Sequence, residues 1–339
     1  MSRRRSTGVT IRAIAAEAGV SIATVSRVLN GHVYVADETR RIVQRAVERL
    51  GAKPSAPSRS VQGAVYVRCP YVLTDYFGTI VSSVAETLDL HGRRLILSAG
   101  DAALRVDALP GLPDDPEIAG AVLILPPESG EQLRALQARN FPFVVVDPRV
   151  SSEDIASVSA SHFAGARSLT AHLIELGHRR IGVIGGPQEW LASDSRIVGH
   201  AAALATAGLL PSPELLVRNV EPVTDWGYDS ALRLLDLPDP PTAIVAFNDK
   251  SAVGALRAAH ERGLRVPEDL SITGFDDVYL SLSTLPMLTT VRQPLEEMGR
   301  MAVTLLMRLL DGHTIESLHV ELATHLIVRD STGPAPNRT

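Results

Sequence analysis

VSIATVSRVLN, residues Val20–Asn30, decides how this chain is organised. It follows TIRAIAAEA (Thr10–Ala18) and a glycine, Gly19. In that first segment Ile11, Ile14, Ala15 and Ala18 recur at three- and four-residue spacing, the pattern of one buried helix face, and Thr10 can cap its start. Ser21 can cap a second helix whose Val25, Val28 and Leu29 face inward. Helix, tight turn and helix is the layout of a helix-turn-helix, in which the second helix enters the major groove of DNA. A third helix is expected over Asp37–Leu50, burying Ile42, Val43, Ala46, Val47 and Leu50 and ending at Gly51. KPSAPSRSVQG (Lys53–Gly63), rich in Pro and Ser, then reads as a linker.

Charge separates this head from the rest. The chain of 339 residues carries a net −5, which by itself speaks against a nucleic-acid partner. Residues 1–63, however, hold 11 Lys and Arg against 4 Asp and Glu, whereas the remainder holds 22 against 34. A basic head on an acidic body confines the electrostatic footprint of phosphate binding to the head. The apolar fraction of 45% suits a globular chain, and no apolar run is long enough to span a bilayer. Arg3, Arg4 and Arg5 resemble the start of a signal peptide, but no apolar segment follows them. Cys69 is the single cysteine, so no internal disulfide can form, and a reducing cytoplasm is the expected location.

The body alternates apolar runs with helical stretches. Strands are expected at AVYVRC (64–69), RLILSA (94–99), GAVLIL (120–125) and FVVVD (143–147). A second set follows at RIGVIGG (180–186), ELLVRN (214–219), TAIVAF (242–247) and LSITGFD (270–276). Helices are expected at Ile80–His91, Gly165–Leu176, Ile197–Gly208, Ser251–Gly263 and Leu295–Leu310, with a last strand HVELATHLIVR (319–329). Unbroken apolar strands separated by helices imply parallel sheets covered on both faces, and two sets imply two α/β lobes. The polar, Pro- and Gly-containing tail, 331–339, is expected to be disordered.

The head residues VTIRAIAAEAGVSIATVSRVLNG and ADETRRIVQRAVERLG resemble the lactose-repressor (LacI) family of bacterial transcription regulators. The body agrees through HLIELGHRRIGVIGG (172–186), AFNDKSAVGAL (246–256), GLRVPEDLSITGFDD (263–277) and LTTVRQPLEEMGRMAV (288–303). The resemblance covers roughly residues 9–329. It implies an all-α DNA-binding head at 9–51, a hinge at 52–62, and a two-lobed core at 63–330 like that of periplasmic binding proteins. The chain of such a core crosses between the lobes three times, which places lobe one at 63–160 and 291–318 and lobe two at 161–290 and 319–330.

The resemblance also implies which residues act. In the head, Ile22, Ala23 and Arg27 stand where the family reads bases, Ser21, Thr24 and Ser26 stand beside the groove wall, and Thr10 and Asn30 complete the DNA-binding set. Arg27 can pair with a guanine through two hydrogen bonds, whereas Ile22 and Ala23 offer only apolar contact. Ser21 also serves as a cap, and Thr24 and Ser26 also read as ordinary helix-surface residues. In the hinge, the family drives a leucine into the minor groove and kinks the site; here that residue is Val61. Ala52 and Ser55 replace the usual Tyr and Asn, and Pro57 falls early in the would-be helix, so a weaker bend is expected.

In the body, the implied effector residues are Tyr76, Phe77, Asp147, Trp190, Arg196, Trp226, Asn248, Asp276 and Gln293. Most follow apolar strands, where a two-lobed core places its ligand cleft. Strand ends are also where helix caps occur, which is a second explanation for Asp147 and Asp249. Flat rings beside polar groups suit a sugar, and also a purine; the sugar is the favoured reading. No phosphate loop, zinc spacing or nucleophile elbow is present, so neither an enzyme nor a cofactor or metal is expected. Lobe-one helices would join two copies about a two-fold axis, implying a homodimer on a palindromic operator. The expected function is a repressor of carbohydrate genes under the control of a small ligand, with either sign of control open. A purine- or other metabolite-responsive corepressor-type regulator and a solute-binding protein without DNA function are the alternatives.

Overall fold

The computed structural model describes residues 11–21, 24–25, 28, 37–50, 63–105, 108–151, 154–313, 315 and 317–336. The chain forms two compact units, residues 1–62 and 63–339. In the first, helix α1 (Ile11–Ala18) and helix α2 (Asp37–Arg49) pack with Val25 and Val28 in a core that also holds Ile14, Ala15, Val43, Ala46 and Val47. Gly19 ends α1 with φ +67°, a left-handed turn that favours glycine. Ile42, expected inside, is 37% exposed, because the buried stripe of α2 runs through Val43, Ala46 and Val47 instead. The expected hinge, 52–62, lies outside the described residues.

The second unit holds two parallel sheets. In lobe one, β1 (Ala64–Cys69), β2 (Leu95–Ala99), β3 (Ile118–Ile124), β4 (Phe143–Val146), β5 (Ser157–Ala160) and β11 (His319–Leu322) form a six-stranded sheet in the order β11-β5-β4-β3-β1-β2. Side chains alternate between two cores. Val144 and Val146 pack with helices α3 (Asp75–Leu90) and α10 (Leu295–Leu310), whereas Phe143 and Val145 pack with α5 (Gly130–Ala138), which follows the short α4 (Asp101–Arg105). In lobe two, β6 (Ile181–Gly185), β7 (Leu216–Arg218), β8 (Ala243–Ala246) and β9 (Ser271–Thr273) lie in the order β7-β6-β8-β9. Helices α6 (His162–Glu175) and α7 (Leu191–Thr206) cover one face of that sheet; α8 (Thr224–Leu235) and α9 (Asp249–Glu261) cover the other.

Three expectations change. The last strand is two: β11 joins the lobe-one sheet beside β5, and β12 (His325–Ile327) pairs antiparallel with β10 (Thr290–Arg292). The lobe boundary set at 318 therefore falls after Leu322, at Ala323 and Thr324, where the Thr324 hydroxyl donates to the Ser161 carbonyl. Helix α3 begins at Asp75 rather than Ile80, and this puts Tyr76 and Phe77 on its first turn; Gly78 there reads as a break in an apolar pattern that has not yet started.

The third change is the tail. Residues 331–336 are packed, not disordered, because their backbone covers the open edge of β9. The Ile272 amide donates to the Ser331 carbonyl (2.9 Å), the Ser331 hydroxyl to the Ile272 carbonyl (2.6 Å), and the Ala335 amide to the Leu176 carbonyl (2.8 Å). His178 lies 3.1 Å from the Gly333 carbonyl through Nε2, while its Nδ1 meets the Thr242 hydroxyl at 2.8 Å. Burial holds this imidazole below the usual histidine range, in keeping with a neutral ring that donates at one nitrogen and accepts at the other. Truncation after Asp330 removes these partners from buried groups. The expected cost is on the order of 3–5 kcal/mol, read as a lower urea midpoint, since each stranded buried group costs about 1–3 kcal/mol; an unchanged midpoint would refute this role for the tail.

Candidate functional site

In the head, the Ser21 hydroxyl accepts from the Thr24 amide at 3.1 Å, and the Val25 amide donates to the Ser21 carbonyl. That is the geometry of a helix N-cap, and a 2.8 Å bond joins the Ser21 and Thr24 hydroxyls. Ser21 is exposed and Thr24 half-buried. Thr10, Ile22, Ala23, Ser26, Arg27, Asn30 and the hinge residue Val61 lie outside the described residues.

In the body, the site assembles at the carboxyl ends of the strands, between the lobes. Asp147 follows β4 with φ +52° and Asp276 follows β9 with φ +109°. Both sit in the left-handed region, a strained conformation for residues other than glycine that is found where surrounding structure dictates it. Lobe one supplies Asp147 and Tyr76, and lobe two supplies His162, Arg196 and Asp276; Gln293 lies on the crossover between β10 and α10. Tyr76 donates its hydroxyl to Asp147 Oδ2 at 2.5 Å, and His162 Nε2 lies 2.9 Å from Oδ1. Gln293 donates to Asp276 Oδ1 at 2.6 Å, and the same oxygen lies 3.7 Å from the Arg196 guanidinium.

Arg196 is the hub. Its guanidinium carbon lies 3.7 Å from the centroid of the Phe275 ring and 4.3 Å from that of Phe247. One terminal nitrogen donates to the Phe247 carbonyl and the other lies 3.3 Å from His162 Nδ1. Close helix packing makes this reach possible: a Cβ on Gly199 would fall 2.3 Å from the Phe163 carbonyl, so only glycine lets α7 approach α6 this closely.

Burial sets the charge states. It raises the Asp276 carboxyl to about 7, against the pull of Arg196 and the Gln293 hydrogen bond, with the Asp147 charge adding to the rise. Burial also pushes Asp147 up, but His162, Tyr76 and Arg196 outweigh it and hold this carboxyl below its ordinary range. Asp249 is raised well above the usual carboxylate range by burial and the nearby Asp276 charge; it accepts from Thr290 Oγ1 at 2.6 Å and from the Val278 amide at 3.0 Å. Arg196 is lowered by burial, with the surrounding acids opposing. Gln293 Oε1, Arg196 Nε and Ser193 Oγ are buried without a hydrogen-bond partner in the protein.

A cluster of rings packs nearby. Tyr71 stacks on Phe77 at 4.5 Å and meets Trp190 edge-on at 5.9 Å, and Trp190 meets Phe247 at 6.0 Å. Arg149 lies over both Tyr71 and Trp190. The structure thus brings together Tyr76, Phe77, Asp147, Trp190, Arg196, Asp276 and Gln293. Asn248 is spent locally: its Oδ1 caps α9 through the Ser251 amide, and its Nδ2 donates to the Pro222 carbonyl. Trp226 is 38% exposed on the first turn of α8, and among the described residues its ring joins none of these aromatic contacts. Sequence reasoning missed Tyr71, Arg149, His162, Phe247 and Phe275. His162 follows a strand like the other candidates, but that strand, SVSA, is too short and polar to register as one. No group of His, Cys, Asp and Glu among the described residues could hold a metal, and burial pushes the Cys69 thiol up to about 12, too high for a nucleophile.

Comparison with known proteins gives two family matches: "Bacterial regulatory proteins, lacI family" over residues 10–55 and "Periplasmic binding protein-like domain" over residues 170–332. The chain is 32% identical over 342 residues to the transcriptional regulator CelR of Thermobifida fusca, covering 98% of this chain and 100% of that protein. It is 32% identical over 346 residues to the transcriptional repressor CytR of Escherichia coli K12, covering 99% of each. Among solved structures, a CelR–cellobiose complex matches with a TM-score of 0.74 at 33% identity, covering 95% of this chain and 99% of that one. A lac repressor dimer bound to operator and the anti-inducer ONPF matches with a TM-score of 0.71 at 27% identity, covering 96% and 100%.

Proposed function

The chain belongs to the LacI family of bacterial regulatory proteins and is a DNA-binding transcriptional regulator rather than an enzyme; from that premise we propose that it is a repressor whose hold on its operator is set by a sugar bound between the two lobes. The observation that carries the ligand is the buried set of unpartnered polar atoms beside the two strand-end carboxylates, Gln293 Oε1 needing a donor and Arg196 Nε an acceptor. Sugar hydroxyls donate and accept at once, and the rings of Tyr71, Phe77 and Trp190 offer flat apolar faces. The cellobiose held by the similar CelR structure points to the same ligand class.

The protein works as a homodimer that presents two heads to a palindromic site. Exposed apolar side chains at Val72, Leu73, Tyr279, Leu282 and Leu285 support a covered face. A ligand that favours one arrangement of the lobes changes DNA affinity, and DNA changes ligand affinity by the same factor. No helix among the described residues is long and apolar enough to cross a membrane, and a DNA partner places the protein in the cytoplasm.

Two measurements test this. Gel shifts with palindromic DNA are expected to lose on the order of 10³–10⁵-fold in affinity between about 50 and 200 mM salt, as for six to ten phosphate contacts. A thermal-shift screen with cellobiose, ribose, nucleosides and purine bases is expected to single out a sugar, stabilising by about 2.7 kcal/mol at a hundredfold excess over Kd. Salt-insensitive binding would sink the DNA assignment, and a hit confined to purines would replace the sugar.

A further inference from the structure

We infer that His162 is the residue that locks the two lobes together and orients Asp147 for the effector, as a neutral ring protonated at Nε2 that accepts from Arg196 and donates to Asp147. The inference takes from the proposed function only what closure regulates. The lock itself is a property of the lobes.

The geometry fixes the tautomer. A guanidinium can only donate, so the contact at 3.3 Å between Arg196 and Nδ1 requires a lone pair on that nitrogen. The ring proton then sits on Nε2, 2.9 Å from Asp147 Oδ1. With Tyr76 donating to Oδ2, the carboxylate is held on both oxygens in its left-handed backbone conformation. His162 and its partners are nearly inaccessible to solvent, so each bond is formed in a low-dielectric setting. Asp147 is held below the ordinary carboxylate range, consistent with an ionised acceptor.

The groups facing this ring come from every element packed against it. Asp147 stands after β4, Arg196 on α7, and the Phe275 ring 6.1 Å away after β9. Tyr76 on α3 and Asp276 after β9 contact Asp147 and Arg196 in turn. A second proton on His162 would put an N–H on Nδ1 against an N–H of Arg196, bringing two buried positive charges together. Arg196 cannot turn aside, because two phenyl rings and the Phe247 carbonyl hold it. A neutral ring avoids that clash, and the bond to Asp147 is then made through Nε2–H. Other bonds across the cleft, Lys250 Nζ to Thr74 Oγ1 and the Leu191 amide to the Arg149 carbonyl, involve no imidazole.

The test uses the full chain labelled with ¹⁵N-histidine and no ligand, so its failure and a failure of the effector reading are separate results. Among the 10 histidines, His162 is assigned by the signals missing in His162→Gln. Near neutral pH its Nε2 is expected to be protonated and its Nδ1 bare. At the same pH, Trp190 emission (in a Trp226→Phe background) and the X-ray scattering radius of His162→Ala are expected to shift to an open form, because Asp147 loses its donor from lobe two. His162→Gln keeps a donor for Asp147 and is expected to stay closed. The inference is overturned by a proton on Nδ1 at neutral pH, by a His162→Ala cleft as closed as that of wild type, or by equal opening of His162→Ala and His162→Gln.

Discussion

Arg196→Ala is expected to lower the stability of the body by about 3–5 kcal/mol and to abolish effector binding. That range applies when one member of a buried charge cluster is removed and the other is left unpaired. Here the guanidinium offsets the buried Asp147 charge, faces Asp276 at 3.7 Å and fills the slot between Phe247 and Phe275, so its loss leaves Asp147 with less compensating charge and opens a gap between two rings. Arg196→Lys is expected to rescue little. A lysine ammonium is a point charge that cannot stack flat between two rings while bonding the Phe247 carbonyl and His162 from separate nitrogens. Arg196→Met combined with Asp276→Asn removes both charges at similar volume and is expected to recover much of the stability but none of the binding. Urea midpoints of the three variants check this. An Arg196→Lys midpoint equal to wild type would show that charge alone, not planar stacking, is what the slot requires.

The helical head and the two-lobed body were legible in the sequence because both depend on local patterns. The 3,4 spacing of Ile14, Ala15 and Ala18 and the apolar runs at 64–67 and 143–146 leave little choice of period. Strand-end acids such as Asp147 and Asp276 were legible by the same logic. What was not legible depends on partners distant in sequence. SVSA becomes β5 only between β4 and β11, so His162 did not register as a strand-end residue. The tail orders only because β9 offers an edge and His178 a buried donor. Arg196 reads as a ligand-gripping arginine, and its enclosure by two phenylalanines about 50 and 80 positions downstream becomes visible only in three dimensions.

Asp276→Asn is expected to make the protein more stable at pH 8 while weakening effector binding. In the fold, burial raises this carboxyl from its ordinary 3.8 to about 7, even though Arg196 and Gln293 pull it down. In the unfolded chain it ionises near its ordinary value. The unfolded state therefore releases its proton first as pH rises, and the native protein loses stability between about pH 4 and pH 7. At about 1.4 kcal/mol per pKa unit the loss above pH 7 reaches roughly 4 kcal/mol at most. Asparagine resembles the neutral acid in shape and carries no charge to desolvate, so the stability gained by the variant is largest above pH 7 and fades toward pH 4. A sugar hydroxyl that donates to a carboxylate makes a stronger bond than one that donates to an amide, so the same change costs affinity. Urea midpoints of wild type and variant at several pH values, paired with ligand titrations, read both effects. A stability difference that does not change with pH would mean that Asp276 is not the group that makes the closed cleft costly at high pH. Under the function we propose, that cost has a use: an ionised Asp276 beside Arg196 and Gln293 would give an entering ligand a charged acceptor that the fold alone does not favour.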